Sequence, residues 1–90
     1  MSLMSDADVD VRLGQLPGWQ REGQRIRRVY TFAGFKEAMA FVNRVADLAE
    51  QADHHPDILV EYARVTLTLS SHDVGGLTAR DLRLAEKIDS

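Results

Sequence analysis

The segment GFKEAMAFVNRVADLAEQ, residues 34–51, determines the architecture of this chain more than any other. Apolar side chains recur in it at intervals of three and four residues, and the stripe that they form consists of Phe35, Ala38, Val42, Val45 and Ala49. This spacing puts the apolar side chains on one face of an α-helix. Pro56 follows shortly afterwards, and a proline disfavours helical geometry at the residue before it. We therefore predict one long amphipathic helix over residues 34–51, followed by an extended chain.

Strand patterns lie on both sides of this helix. Before it, residues 20–22 and 25–32 flank a glycine turn, and the longer segment is rich in the β-branched and aromatic side chains that strands favour. After it, residues 57–62 and 65–70 carry apolar side chains at alternate positions. Each pair predicts an antiparallel hairpin. The turn near residues 63–64 lacks Gly, Asn and Asp, so the second hairpin is predicted from its flanking strands alone.

A short helix is predicted at each end of the chain. Residues 6–15 are acidic with interspersed apolar residues, a pattern that suits a short and frayed helix. Thr78 and Asp81 have the spacing of a capping box, and the apolar face of the helix that it begins is formed by Leu82, Ala85 and Ile88. The order α-β-β-α-β-β-α predicts an α+β domain of two layers, in which the helices pack on one face of a four-stranded antiparallel sheet.

Length and composition limit the class of protein. The 90 residues, 44% hydrophobic and 28% charged, fit one globular domain over residues 1–90. We expect residues 1–5 to be disordered or left over from cloning. The formal net charge of −3 argues against a general nucleic-acid binder, and no apolar run approaches the roughly 20 residues of a membrane span. Because the chain has no cysteine and no secretory signal, we expect a cytoplasmic protein without thiolate metal sites.

Self-association is expected from the size of the domain. A chain this short buries only a modest core. The second face of the predicted sheet and the outer side of the long helix also need cover. We therefore expect a homodimer or a homotetramer.

The histidines are concentrated in one region. The chain has three, His54, His55 and His72, and all lie within 19 residues. If the second hairpin forms, the end of one arm returns beside the start of the other, which brings His72 back towards His54 and His55. Histidine titrates near neutral pH and suits proton transfer. The sequence therefore predicts one site at this end of the sheet, built on loops.

Three interpretations of this site stay open on the residues alone. The first is acid-base catalysis, in which Glu50, Asp53 and Asp81 orient or tune the imidazoles. The second is a three-histidine zinc site with an open position, although adjacent histidines such as His54 and His55 are awkward joint ligands. The third is structural, with the histidines serving as hydrogen-bonding partners of loops and helix ends.

The joined motif resembles that of a known family, the pterin-4a-carbinolamine dehydratases. The elements of the motif are Glu50, His54-His55-Pro56, Tyr62, His72 and Asp81, at matching spacing. The sequence around it is similar as well, from LPGW at residues 16–19 to GGLT at residues 75–78. The resemblance covers about residues 13–85, which is most of the chain. The double histidine alone would be a weak signal, whereas the joined motif is highly specific.

The resemblance implies an activity and a set of site residues. The activity is dehydration of 4a-hydroxytetrahydropterin to the quinonoid dihydropterin, a step in tetrahydropterin recycling that requires no metal or organic cofactor. The residues that it implies are His54, His55 and His72 as the catalytic trio and Glu50, Asp53, Pro56 and Asp81 in support. It also implies a homotetramer built from dimers. The alternative is a non-enzymatic pterin-binding or protein-interaction module on the same fold.

One position departs from the family pattern. Many members carry a tryptophan two residues after the proline, whereas this chain has Ile58. The departure bears on an aromatic wall of the pterin site, and hence on substrate affinity more than on acid-base chemistry.

Overall fold

The structure, a computed structural model, describes residues 2–90. The elements are α1 Asp6–Leu13, β1 Gln20–Glu22, β2 Arg25–Thr31, α2 Phe35–Ala52, β3 Asp57–Glu61, β4 Arg64–Leu69 and α3 Ala79–Ile88. This confirms the predicted order α-β-β-α-β-β-α. Helix α1 ends at Leu13, two residues earlier than expected, and Gly14 follows it as the C-cap.

The four strands form one antiparallel sheet in the order β1-β2-β4-β3. Strand β4 lies inside the sheet and pairs with both of its neighbours, so that Leu67 lies opposite Arg28 of β2 and Ile58 of β3. Its alternate residues Val65, Leu67 and Leu69 are completely buried. The period-two pattern of the sequence therefore corresponds to the face of β4 that packs against the core.

The helices cover one face of this sheet. Helix α2 contacts β4 and α3, and α3 contacts α1. The core between these layers includes Val9, Trp19, Ile26, Ala38, Val45, Leu67, Leu82, Leu84 and Ile88. The opposite face is open, since Val29 and Leu59 on it are 40% and 54% exposed. Within residues 2–90, no helix is both long enough and apolar enough to cross a membrane.

The β3–β4 turn has an unusual backbone. It occupies Tyr62 and Ala63, so it begins one residue earlier than the sequence suggested. Tyr62 has a φ of 53° and is 72% exposed. A left-handed conformation normally favours glycine or asparagine, which explains why composition did not locate this turn.

The residues before α1 contact the domain. The Met4 amide donates to the Leu77 carbonyl at 2.8 Å, and the Ser5 hydroxyl accepts from the Asp8 amide as the N-cap of α1. The expectation of disorder over residues 1–5 stays a prediction, and these bonds join Met4 and Ser5 to the rest of the domain. For Met1 the same expectation lies outside the described residues.

Candidate active site

The end of helix α2 sets the direction of the histidine pair. Asp53 takes a left-handed conformation with a φ of 49°. Its amide donates to the Glu50 carbonyl, and the His54 amide donates to the Ala49 carbonyl. These two bonds are the Schellman pattern that closes a helix. The chain therefore leaves α2 sharply, and His54 and His55 begin a new direction.

His54 lies inside the domain and pairs with a buried carboxylate. The His54 residue is 8% exposed, and Asp81 of α3 is completely buried. The His54 Nε2 and Asp81 Oδ1 atoms lie 2.6 Å apart. A buried carboxylate must be hydrogen-bonded to be tolerated, and a histidine paired in this way has a fixed ring orientation.

The second oxygen of Asp81 holds the beginning of α3. The Oδ2 atom accepts hydrogen bonds from the Ser71 hydroxyl at 2.8 Å and from the Thr78 amide at 2.9 Å. The Ser71 and Thr78 hydroxyls are also 2.8 Å apart. The predicted capping box is therefore present. One carboxylate joins the end of α2, the end of β4 and the start of α3.

His55 and Glu50 form a second pair, at the surface. The His55 Nε2 and Glu50 Oε2 atoms lie 2.5 Å apart. Their side chains are 56% and 78% exposed, so water competes with this contact. Both side chains are accessible to a ligand, in contrast to the His54–Asp81 pair.

His72 follows Ser71 but faces a different surface. Its exposed side chain lines a shallow depression beside the β1–β2 turn, together with Gln24, Arg25 and Gly75. The hairpin register brings the chain back as expected, with Asp57 opposite Thr68. Ser71 pairs with Gly76 in an isolated bridge and contacts Asp81, whereas His72 begins the turn between Ser71 and Gly76, so the two neighbouring side chains have different surroundings.

The remaining predicted residues lie around this end of the sheet. Asp53 is exposed and shapes the backbone at the end of α2. Pro56 is half-buried and directly precedes β3. Ile58 lies opposite Leu67 and is 36% exposed. Since Leu67 is buried in the core, Ile58 lies at the margin of the helix-covered face.

A cleft opens beside His54. Its volume is about 160 Å³, and its walls are formed by Ala52, His54, Arg80, Arg83, Leu84 and Lys87. Arg80 donates to the Asp73 carboxylate at 2.6 Å, and this hydrogen bond lowers the pKa of Asp73. We did not predict these basic residues from the sequence, although their spacing of three and four residues along α3 was a usable signal.

The positions of the three histidines do not match the three-histidine zinc interpretation. Within residues 2–90, no three His, Cys, Asp or Glu side chains are arranged to hold a metal ion. The histidines instead occupy three environments: buried against Asp81, exposed against Glu50, and exposed beside the β1–β2 turn.

Comparisons with known proteins agree with this architecture. A family model described as Pterin 4 alpha carbinolamine dehydratase matches residues 2–90. Relatives from Thermomicrobium roseum and Roseiflexus castenholzii, both named for this family, are 52% and 51% identical over 88 residues. In each case the alignment covers 98% of this chain and 95% of the relative.

Solved structures share the fold. The crystal structure of a transcriptional coactivator/pterin dehydratase from Brucella melitensis has a TM-score of 0.93 at 32% identity, covering 98% of this chain and 96% of that one. A pterin dehydratase-like protein identified as a RuBisCO assembly factor in the alpha-carboxysome shares the fold alone, with a TM-score of 0.65 and 22% identity over 79% of this chain and 82% of that one. Because the family match extends over all the described residues rather than over a motif, this chain belongs to the pterin 4 alpha carbinolamine dehydratase family.

Proposed function

We propose that this protein dehydrates 4a-hydroxytetrahydropterin to the quinonoid dihydropterin by histidine acid-base catalysis, as a step in tetrahydropterin recycling. The observation that carries the proposal is the buried pair of His54 and Asp81 beside a cleft. A histidine held by a carboxylate and open to a cavity is suited to exchanging protons with a bound molecule.

The reaction needs one proton donated and one removed. The bond from C4a to the hydroxyl breaks, and the hydroxyl leaves as water after receiving a proton from a general acid. The N5 proton passes to a base, and the electron pair of the N5–H bond forms the new C=N bond. The reaction loses water without any net oxidation or reduction. Side chains that transfer protons are therefore sufficient to catalyse it.

The geometry of His54 supports a specific ring nitrogen for this work. A carboxylate can only accept, so the hydrogen shared with Asp81 lies on the His54 Nε2 atom. In the neutral imidazole the Nδ1 atom is then the basic nitrogen. We propose that Nδ1 exchanges protons with the substrate and that Asp81 fixes the orientation of the ring.

We propose that His72 acts with His54 on the leaving hydroxyl. The support is the place of His72 in the joined family motif and not a contact, since His72 and His54 line different depressions of this chain. We assign His55 to holding the pterin, with Glu50 orienting its ring through the 2.5 Å contact. Asp53 and Pro56 shape the loop that presents the pair.

We also propose that the protein forms a homodimer or homotetramer. Strand β3 is an edge strand, next to β4 on one side only. Its Ile58 and Leu59 are 36% and 54% exposed. An exposed apolar edge is a template for pairing with a second chain. Light scattering on the purified protein tests this, since a mass near 10.1 kDa would mean a monomer.

The alternative is a binding module without catalysis. The open face of the sheet, where Val29 and Leu59 are exposed, favours it as a surface for a protein partner. The deciding experiment measures tetrahydropterin binding and the dehydration rate on the same preparation. Acceleration above the spontaneous rate supports the enzyme. Pterin or partner binding without acceleration would replace it with the module.

A further inference from the structure

The cleft beside His54 has a strongly basic wall. Arg80, Arg83 and Lys87 of α3 all line it, and positions three, four and seven apart lie on one helix face. The rest of the lining is His54 and the apolar residues Ala52 and Leu84. The cleft therefore offers positive charge above a small apolar floor.

Two of these charges are not compensated within the described part of the chain. Arg80 is paired with Asp73 at 2.6 Å. Arg83 and Lys87 take part in none of the ion pairs formed among residues 2–90.

The acidic side chains of the neighbouring helix positions are already engaged. Asp81 pairs with His54, Glu86 with Arg12, and Asp89 with Arg28. The formal net charge of the chain is −3, so a basic cleft runs against its overall sign. Arg83 and Lys87 are exposed, and an anion in the cleft would pair with them in place of water.

We propose that this cleft binds an anionic group, and that the substrate is therefore a pterin whose side chain ends in a phosphate or a carboxylate. This rests on the proposed dehydratase function, in which the ring lies at the mouth of the cleft beside His54 and only the side chain enters it along α3. The volume of about 160 Å³ suits a side chain rather than a whole ligand, because pockets for drug-sized molecules occupy roughly 300–1,000 Å³.

The chemistry of the two cations fits this class of group. A guanidinium such as that of Arg83 matches the oxygens of a phosphate or a carboxylate with two parallel hydrogen bonds. The Lys87 ammonium adds a point charge one turn further along the helix. Ala52 and Leu84 contact the alkyl portion between the ring and the anion. Because the site is open to water, its contribution depends on ionic strength.

The test compares substrates that differ only at the end of the side chain. Three 4a-hydroxytetrahydropterins are used, ending in a hydroxyl, a phosphate ester or a carboxylate, and KM is measured for each at low salt. We expect an anionic terminus to lower KM by about tenfold, which corresponds to about 1.4 kcal/mol. The phosphate and carboxylate arms show which of the two anions the cleft prefers.

Substitutions on α3 test whether its basic residues cause the lower KM for anionic substrates. Arg83→Gln and Lys87→Gln should each reduce the preference for the anionic substrate by at least about threefold, which corresponds to about 0.65 kcal/mol. Lys36→Gln is the matched control, because it removes the same charge from the exposed start of α2. The preference should persist in this control. Equal KM values for neutral and anionic substrates, or a preference that survives both α3 changes, would overturn the proposal.

A second measurement separates this proposal from the failure of the proposed function. Inorganic pyrophosphate is titrated into the protein while NMR follows the Arg83 amide and the His54 ring. Saturable shifts that are lost in Arg83→Gln support the anion site even if no dehydration occurs. Absence of shifts in the wild-type protein overturns it, whatever the enzyme assay shows.

Discussion

The Asp81 carboxylate holds the His54 ring with one oxygen and begins helix α3 with the other. The distances are 2.6 Å from Oδ1 to His54 Nε2 and 2.9 Å from Oδ2 to the Thr78 amide. Capping and histidine positioning therefore depend on the same side chain. Changes at Asp81 should alter the free energy of unfolding and the reaction rate together, whereas changes at the exposed histidines should alter the rate alone.

Replacing Asp81 should destabilise the fold. Asp81→Ala leaves the buried groups of His54, Ser71 and Thr78 without their partner, at an expected cost of about 3–5 kcal/mol in the free energy of unfolding. Asp81→Asn keeps the shape and one acceptor, so a smaller cost of about 1–3 kcal/mol is expected. Urea denaturation measures both. The control is Asp47→Asn, an exposed change on α2, and Asp81→Ala as stable as this control would contradict the coupling.

His72→Ala should slow the reaction without affecting the fold. The side chain is exposed, so the free energy of unfolding should stay within about 0.5 kcal/mol of wild type. If His72 is a general acid, the rate of dehydration should fall on the order of 10²-fold or more. Enzyme assays and urea denaturation are run on the same sample. An unchanged rate would remove His72 from the mechanism.

Asp53→Gly should stabilise the protein. Asp53 holds a φ of 49°, which glycine adopts without steric cost. We expect a gain of about 0.5–1 kcal/mol, read as a higher Tm, because a left-handed residue with a Cβ costs energy. If the Asp53 side chain supports the site, the same variant loses activity. A glycine variant with a full rate would show that Asp53 acts only through the backbone.

The environment of Tyr30 predicts how the free energy of unfolding changes with pH in the alkaline range. Burial and the 2.5 Å hydrogen bond to Asp89 raise the pKa of the Tyr30 hydroxyl. The unfolded chain then releases this proton at a lower pH than the folded chain. The Tyr30 hydroxyl therefore makes its full contribution to the free energy of unfolding below about pH 10, the pKa of an unperturbed tyrosine. This contribution is lost as the pH rises towards the pKa of Tyr30 in the folded chain.

Tyr30→Phe isolates this contribution. The difference in free energy of unfolding between wild type and Tyr30→Phe should be constant from about pH 7 to 9 and should shrink above about pH 10. Denaturant melts at several pH values measure it. A difference that stays constant at higher pH would mean that the Asp89 contact does not perturb Tyr30.

Local periodicity was enough to predict the elements of this fold. The apolar stripe of α2 and the alternate apolar residues of β4 match buried faces in the structure, at Val45 and Leu67 among others, although Phe35 at the start of the stripe is 52% exposed. The residue types of the β3–β4 turn did not indicate a turn, because its backbone is left-handed at a tyrosine. Tyr62 occupies a positive φ that its residue type does not favour, so only the flanking strands indicated the hairpin.

The site was predicted as a set of residues rather than as a set of contacts. The capping box identified Asp81, but the spacing of Thr78 and Asp81 carries no information about a bond to His54, which lies 27 residues away in the chain. Such long-range contacts depend on how α2 and α3 pack. The orientation of His72 was missed for a related reason, since register fixes position along a strand and not the side to which a loop residue points.

The most direct test of the catalytic assignment is a stopped-flow measurement of 4a-hydroxytetrahydropterin dehydration, with wild type beside His54→Ala. If His54 exchanges protons with the substrate, wild type accelerates the reaction and the variant loses on the order of 10²–10⁴-fold. Circular dichroism on the variant shows whether it remains folded. A folded His54→Ala protein that dehydrates the substrate as fast as wild type, or a wild type that leaves the spontaneous rate unchanged, would contradict the assignment.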